Sequence, residues 1–335
     1  MPILSNFWKL IALSTFLFVG SFSFAENGIF NETCPCGPDC GCNMGANCDC
    51  LSKGSHWWDK PLFCTVDCCY PTWAEFLPGS PQLMTPFLAD PRQVNYSAGW
   101  RFNDRCLVKN VIPVSYGGSI PLIRFNNIWP WCGALQLELE GCLWAVFDPL
   151  HDSSPLMNAD YYIGFPLIYC IDNWQFRLRG YHISCHIGDE FLLNHRNFRR
   201  LNPSAEYLDF FISHQMTKEI RVYAGVGAVL ASDESYPCKT FYAEAGGEVH
   251  MYDFGFVNSC GKICGNPFFA IYLRHRGENK RHVDLTYALG YEFGKTYGRE
   301  PLLRAFLEYH DGYSVEGQYS RFPTRYFAFK VTYGY

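Results

Sequence analysis

His182 and Ser184 have the residue types and the spacing for acyl transfer. A neutral imidazole beside a serine hydroxyl can take its proton as the oxygen attacks an ester. Two positions apart on a β-strand, the two side chains point to the same face. A third group must orient the imidazole. Glu206 is the best candidate, near the start of the next alternating stretch and on its apolar face with Leu208 and Phe210. Asp189 and Glu190, in the intervening loop, are alternatives. His182 and His186 with Asp189 or Glu190 could instead hold a metal.

The stretch that must position the pair alternates cleanly. Trp174, Phe176 and Leu178 take one face, and Gln175, Arg177 and Arg179 the other. Continued, the apolar face carries Gly180, His182, Ser184 and His186, so a polar trio replaces apolar residues near the strand end. A bulge near Gly180 would turn the trio to the opposite side, where it would be ordinary polar filling.

A second group of residues could do different chemistry. Of 17 cysteines, nine fall within 36 positions: Cys34, Cys36, Cys40, Cys42, Cys48, Cys50, Cys64, Cys68 and Cys69. Six of them form C-x-C pairs. Such pairs can share a soft metal ion, although their spacing is tighter than that of structural zinc sites. In an oxidising compartment disulfides are the default, within or between chains. The odd total leaves at least one thiol free or bonded to another molecule.

The address follows from residues 1–25, which read as a signal peptide. A weak basic start with Lys9 precedes the apolar run Ile11–Phe24, and Ser23 and Ala25 form a small-residue cleavage site. The run is short for a membrane-spanning helix. The whole chain carries a formal net charge of −5, which excludes a strongly basic nucleic-acid binder. At 48% hydrophobic and 18% aromatic residues it is too apolar for disorder. The sequence contains no phosphate-binding glycine loop and no nucleotide fingerprint, so no cofactor is expected.

Residues 26–95 are rich in Cys, Pro and Gly and lack periodicity. From 96 to 335 the chain alternates with period two, in about twelve stretches. These begin near Tyr96, Val111, Gly133, Asp160, Trp174, Ser204, Ile220, Thr240, Phe268, His282, Leu302 and Thr324. The second contains Pro113 and Pro121 and the fourth Pro166, residues that fit a sheet only at edges and bulges. Many stretches are long enough to cross a bilayer at a tilt. Their connections alternate between short turns, such as Ile171–Asn173 and Thr217–Glu219, and longer polar loops, such as Gly188–Pro203 and Asp311–Pro323. The expected fold is all-β: a membrane-spanning, antiparallel, up-and-down β-barrel of about twelve strands, with an irregular Cys-rich N-terminal segment. That segment is expected in the periplasm, since both ends of an even-stranded barrel lie on one side. The barrel interior should be crowded with charges of both signs, among them Arg221, Glu248, Arg274, Glu292 and Lys330, favouring a plugged lumen over an open pore.

Four resemblances add to this reading. The terminal alternation Phe327, Phe329, Val331, Tyr333, Tyr335 resembles the signal by which outer-membrane proteins are recognised for barrel assembly. The stretches Phe87–Arg92 and Gly180–Glu190 look like the bacterial family of unknown function 1207, and imply an envelope location. The Cys-rich leader resembles cysteine-rich envelope proteins that cross-link an outer membrane. This points first to a structural envelope barrel, with other Cys-rich envelope proteins and outer-membrane lipids as partners and no nucleic acid. Gly180-Tyr181-His182-Ile183-Ser184 is also similar to the H-x-S motif of outer-membrane phospholipase A and the lipid A deacylases. That likeness implies a lipid ester hydrolase with His182 as base and Ser184 as nucleophile. Where those phospholipases carry Asn directly after the Ser, this sequence has Cys185. A solute pore is the third reading.

Overall fold

The computed structural model describes residues 73–79, 82–128, 131–257, 263–278, 283–294 and 302–334. Twelve antiparallel strands follow one another around a closed barrel. They are β1 (Tyr96–Phe102), β2 (Asn110–Ile128), β3 (Gly133–Phe147), β4 (Leu156–Ile171), β5 (Trp174–His186) and β6 (Ala205–Gln215), then β7 (Ile220–Ser232), β8 (Phe241–His250), β9 (Ile263–Arg276), β10 (Asp284–Phe293), β11 (Leu302–Tyr313) and β12 (Pro323–Gly334). Closure is made by β12 on β1, from Tyr333 opposite Tyr96 to Phe327 opposite Phe102. The nine leader cysteines, and the signal peptide, lie outside the described residues.

Period two sorts the residues between two environments. Leu178, Leu208, Phe210, Val226, Leu289 and Leu307 are exposed on the outer surface. Aromatic side chains flank this belt: Tyr96, Trp174, Phe293 and Tyr333 at the turn end, and Phe102, Tyr161 and Phe241 toward the loop end. Apolar belts between aromatic girdles are how barrels meet a bilayer. The alternate positions carry buried charge in pairs. Arg274 Nε lies 3.0 Å from Glu244, Arg276 Nη2 3.0 Å from Asp284, and Lys330 Nζ 2.8 Å from Glu308. Buried ions persist where each finds an opposite charge and further hydrogen bonds, so both signs are needed inside.

The prolines sit where the ladder gives. The β2–β3 register shifts between Pro121 and Ile123. Pro166 pairs with Arg179 on the β5 side, while no β3 residue stands opposite it on the other. In the short turn after β4, Asp172 takes φ +48°, a left-handed conformation that Asp tolerates. The connection Gly255–Pro267 looks too long for the turn end. Its ends pair with each other: Phe256 with Gly265 and Val257 with Ile263, and β9 therefore begins earlier than the alternation suggests.

The lumen is filled by the chain itself. Residues 82–95, which show no periodicity and read as part of the irregular leader, are folded inside the barrel. Leu83, Met84, Phe87 and Ala89 are buried among the inward-facing Phe211, Tyr223, Phe268 and Tyr272. The Phe87 ring stacks on Tyr223 at 3.9 Å, and Arg177 lies 5.2 Å over its face. Arg221 donates to Thr85 O at 2.8 Å and to Glu248 Oε2 at 2.7 Å, while Glu248 Oε1 accepts from Leu88 N at 2.7 Å. Farther along, Arg92 pairs with Asp160 of β4, and its Nε donates to Val315 O at 2.9 Å. The motif Phe87–Arg92 is thus part of the plug.

Candidate active site

His182 and Ser184 lie near the loop end of β5. The β4–β5 ladder runs without a shift from Ile171 opposite Trp174 to Ala159 opposite His186. The β5–β6 ladder is equally regular, from Trp174 opposite His214 to Ile183 opposite Ala205. No bulge forms at Gly180. Phase is kept: Tyr181 and Cys185 are buried in the lumen, and His182 and Ser184 face outward with Leu178. Cys185 Sγ donates inward to Asn158 Oδ1 at 3.0 Å.

Register also places the third group. Glu206 stands directly opposite His182, on the outward face of β6. Its Oε1 lies 3.3 Å from His182 Nδ1, with the two side chains 18% and 35% exposed. The approach is within ion-pair distance but not aligned as a hydrogen bond, and Nδ1 is buried with no other partner. Such contacts often tighten only when substrate is bound. On the β4 side, Ile163 is the neighbour of His182, and Tyr161 that of Ser184. The Tyr161 ring meets His186 edge-on at 5.3 Å.

The alternative partners go elsewhere. Asp189 and Glu190 begin the short helix α1 (Asp189–Asn194), where Glu190 accepts from Ser153 Oγ. Among the described residues no three His, Cys, Asp or Glu side chains gather as a metal would require, so His182 and His186 are not joined by either carboxylate. Arg196, Arg199 and Arg200 are exposed in the loop after α1. Of the remaining cysteines, Cys106, Cys142, Cys185 and Cys238 carry free thiols.

Sequence reasoning missed the plug's connection to this strand. Arg92 reaches Asp160, which stands opposite Cys185, the residue after Ser184. Asn158 Nδ2 and the backbone N of Gly317 also donate to Asp160, at 2.9 and 3.0 Å. The sequence signal was present: Phe87–Arg92 and Gly180–Glu190 are the two stretches that carried the family resemblance, and this network brings them together.

A twelve-stranded barrel with an apolar exterior, a charged plugged interior and a polar trio on its outer wall belongs to the outer-membrane barrel class. Residues 62–335 match the model of the protein family of unknown function DUF1207, and the chain belongs to that family. Among solved structures it is similar to outer membrane phospholipase A from Escherichia coli. Identity is 13% and the TM-score 0.50, over 73% of this chain and 93% of that one. The Salmonella typhi outer membrane phospholipase dimer with bound calcium is similar at 14% identity and TM-score 0.50, over 75% and 94% of the two chains. At these identities the likeness is one of fold. No curated protein matches the chain.

Proposed function

We propose that the protein is an outer-membrane lipid ester hydrolase, acting on acyl esters at the lipid-facing rim of its barrel. The observation that carries this reading is the outward His182–Ser184 pair with Glu206 Oε1 3.3 Å from His182 Nδ1. A polar trio on a lipid-facing wall is costly unless it is used, and the fold likeness to a phospholipase agrees with the reading.

Ser184 Oγ attacks the ester carbonyl while His182 Nε2 takes its proton. The carboxylate of Glu206 stabilises the imidazolium through Nδ1. As the tetrahedral intermediate collapses, His182 returns the proton to the departing alcohol, leaving an acyl group on Ser184. Water, deprotonated by His182, then releases the fatty acid and restores the serine. In this arrangement the N-terminal segment and the turns lie in the periplasm, and the loop-end rim meets the outer leaflet. The two-residue Asp172–Asn173 turn and the longer loop after β5 support that orientation.

A fluorophosphonate probe tests the nucleophile. Labelling of the folded wild type at Ser184, absent in Ser184→Ala, supports the reading. An unlabelled wild type of proven fold contradicts it.

A second role rests on the leader. Its nine cysteines within residues 34–69, in a chain with an odd total, favour disulfides to other Cys-rich envelope proteins. This is compatible with catalysis, the leader then serving as an anchor. Higher-mass species on a non-reducing gel that collapse with reductant are the expected result. A monomer without reductant contradicts intermolecular cross-linking.

A further inference from the structure

The barrel wall beside His182 carries a row of positions in strict register. Gly118 of β2 stands opposite Gly141 of β3, Gly141 opposite Ile163 of β4, and Ile163 opposite His182. All four face outward. The row toward the loop end is bulky: Tyr116, Leu143, Tyr161, then Ser184. On the turn-end side, Ile120 stands opposite Leu139. Tyr116 and Ile120 are 70% and 54% exposed, so they rise on either side of Gly118.

Neither glycine is demanded by the fold. A Cβ on Gly118 would meet nothing within 4 Å, and one on Gly141 only Tyr162 O at 3.9 Å. Neither has a left-handed φ. At the inward-facing Gly117 a Cβ would lie 2.5 Å from Gly141 O, and at Gly290 it would lie 2.3 Å from Phe306. Glycine weakens a strand, and on a lipid-facing wall a β-branched or aromatic residue would stabilise more. Behind this row lies a cavity of about 500 Å³ that touches Gly118, Gly141 and Ile163 on the wall and Met84, Glu138 and Arg177 on the plug and lumen side, without reaching His182. That volume falls in the range of ligand pockets.

We propose that this trough holds the acyl chain of the lipid whose ester is presented to His182 and Ser184. The inference rests on the hydrolase reading and names the binding determinant of its substrate. Three inter-strand steps separate Gly118 from His182, about 14 Å at about 4.8 Å per strand, enough for a medium-length chain. The medium around the wall is acyl chains, and the outward-facing residues that flank the two glycines, Tyr116, Ile120, Leu139 and Leu143, offer it apolar and aromatic surface. Apolar contact along the trough aligns the chain, and the row ends on the imidazole that must meet its carbonyl.

The experiment compares folded wild type, Gly118→Leu, Gly141→Leu and Ser184→Ala in detergent micelles. It uses 4-nitrophenyl esters of two to sixteen carbons. Because both sites have room for a Cβ, the leucine variants should fold, as heat-modifiable gel mobility will show. Each should raise KM for the long esters at least about ten-fold while leaving the two-carbon ester unchanged. An unaltered chain-length profile, with Ser184→Ala inactive, overturns the trough and leaves the hydrolase standing. In parallel, a diazirine-bearing fatty acid is cross-linked to all four proteins. Labelling concentrated in Tyr116–Gly141 that falls several-fold in Gly141→Leu supports the trough even if no ester is cleaved. Even labelling around the belt overturns it.

Discussion

Glu206 Oε1 and His182 Nδ1 face each other at 3.3 Å across the β5–β6 ladder, on the outer wall of the barrel. The contact is made by two strands held in unbroken register, so it is a consequence of strand pairing and not of loop placement. In the proposed hydrolase this contact tightens into a hydrogen bond from Nδ1 and leaves Nε2 to serve Ser184.

In the proposed hydrolase Glu206 acts through His182, as a positioning residue. Glu206→Gln keeps the shape and loses the charge that stabilises an imidazolium. We expect kcat to fall about 10²-fold or more with KM little changed. Full activity with kcat unchanged would show that the carboxylate is structural.

The plug should keep the pore closed. Residues 82–95 lie across the lumen, with Leu83, Met84, Phe87 and Ala89 buried against the barrel wall. Arg221 is 3% exposed and binds both Glu248 and the plug backbone. Arg221→Ala leaves Glu248 buried without its cation, a change that typically costs about 3–5 kcal/mol. Wild type in planar bilayers should conduct poorly, and the variant should show frequent openings. Large steady conductance in the wild type would contradict a resident plug.

Phe87→Ala tests the same segment through packing. It removes a ring stacked on Tyr223 and buried against Phe211. Deleting a buried phenylalanine side chain costs about 3–5 kcal/mol. Amide exchange of residues 82–95 should accelerate, while the strands of the β10–β12 wall stay protected.

The loop after β11 supplies a pH effect. Burial would raise the Glu316 carboxyl, but Arg101 and Arg92 outweigh it and hold it at about 2. Arg101 Nη1 lies 3.0 Å from Glu316 Oε1. A carboxyl depressed on folding stabilises the folded state above its unfolded value, near 4.5. That contribution is on the order of 3 kcal/mol. It is lost as pH falls from about 4.5 toward 2, and Glu316→Gln should abolish that part of the pH dependence. Urea unfolding of both proteins between pH 2 and 6 reads the difference.

Much of this architecture was legible in the alternation. Strand starts at Tyr96, Gly133, Trp174, Ile220 and Leu302 coincide with those read from period two. The wall is amphipathic, with apolar residues meeting lipid and charges meeting the plug, so its pattern repeats strand after strand. The outward phase of His182 followed once no bulge intervened, and Glu206 could be named because it opens the apolar face of the adjacent strand. The plug was not legible as an element. Residues 82–95 are held by Arg221, Glu248, Asp160 and Val315, each far away in sequence, and such contacts leave no local period. The glycine row was hidden for a related reason. Gly118 and Gly141 come together only through cross-strand register, which the shift at Pro121 helps to set.

The most direct measurement is hydrolysis of phospholipid by the refolded barrel, with Ser184→Ala beside it and heat-modifiable mobility confirming both folds. Fatty acid release by the wild type, falling to background in the variant, is the expected result. Equal release by both, or none from a folded wild type, would contradict it.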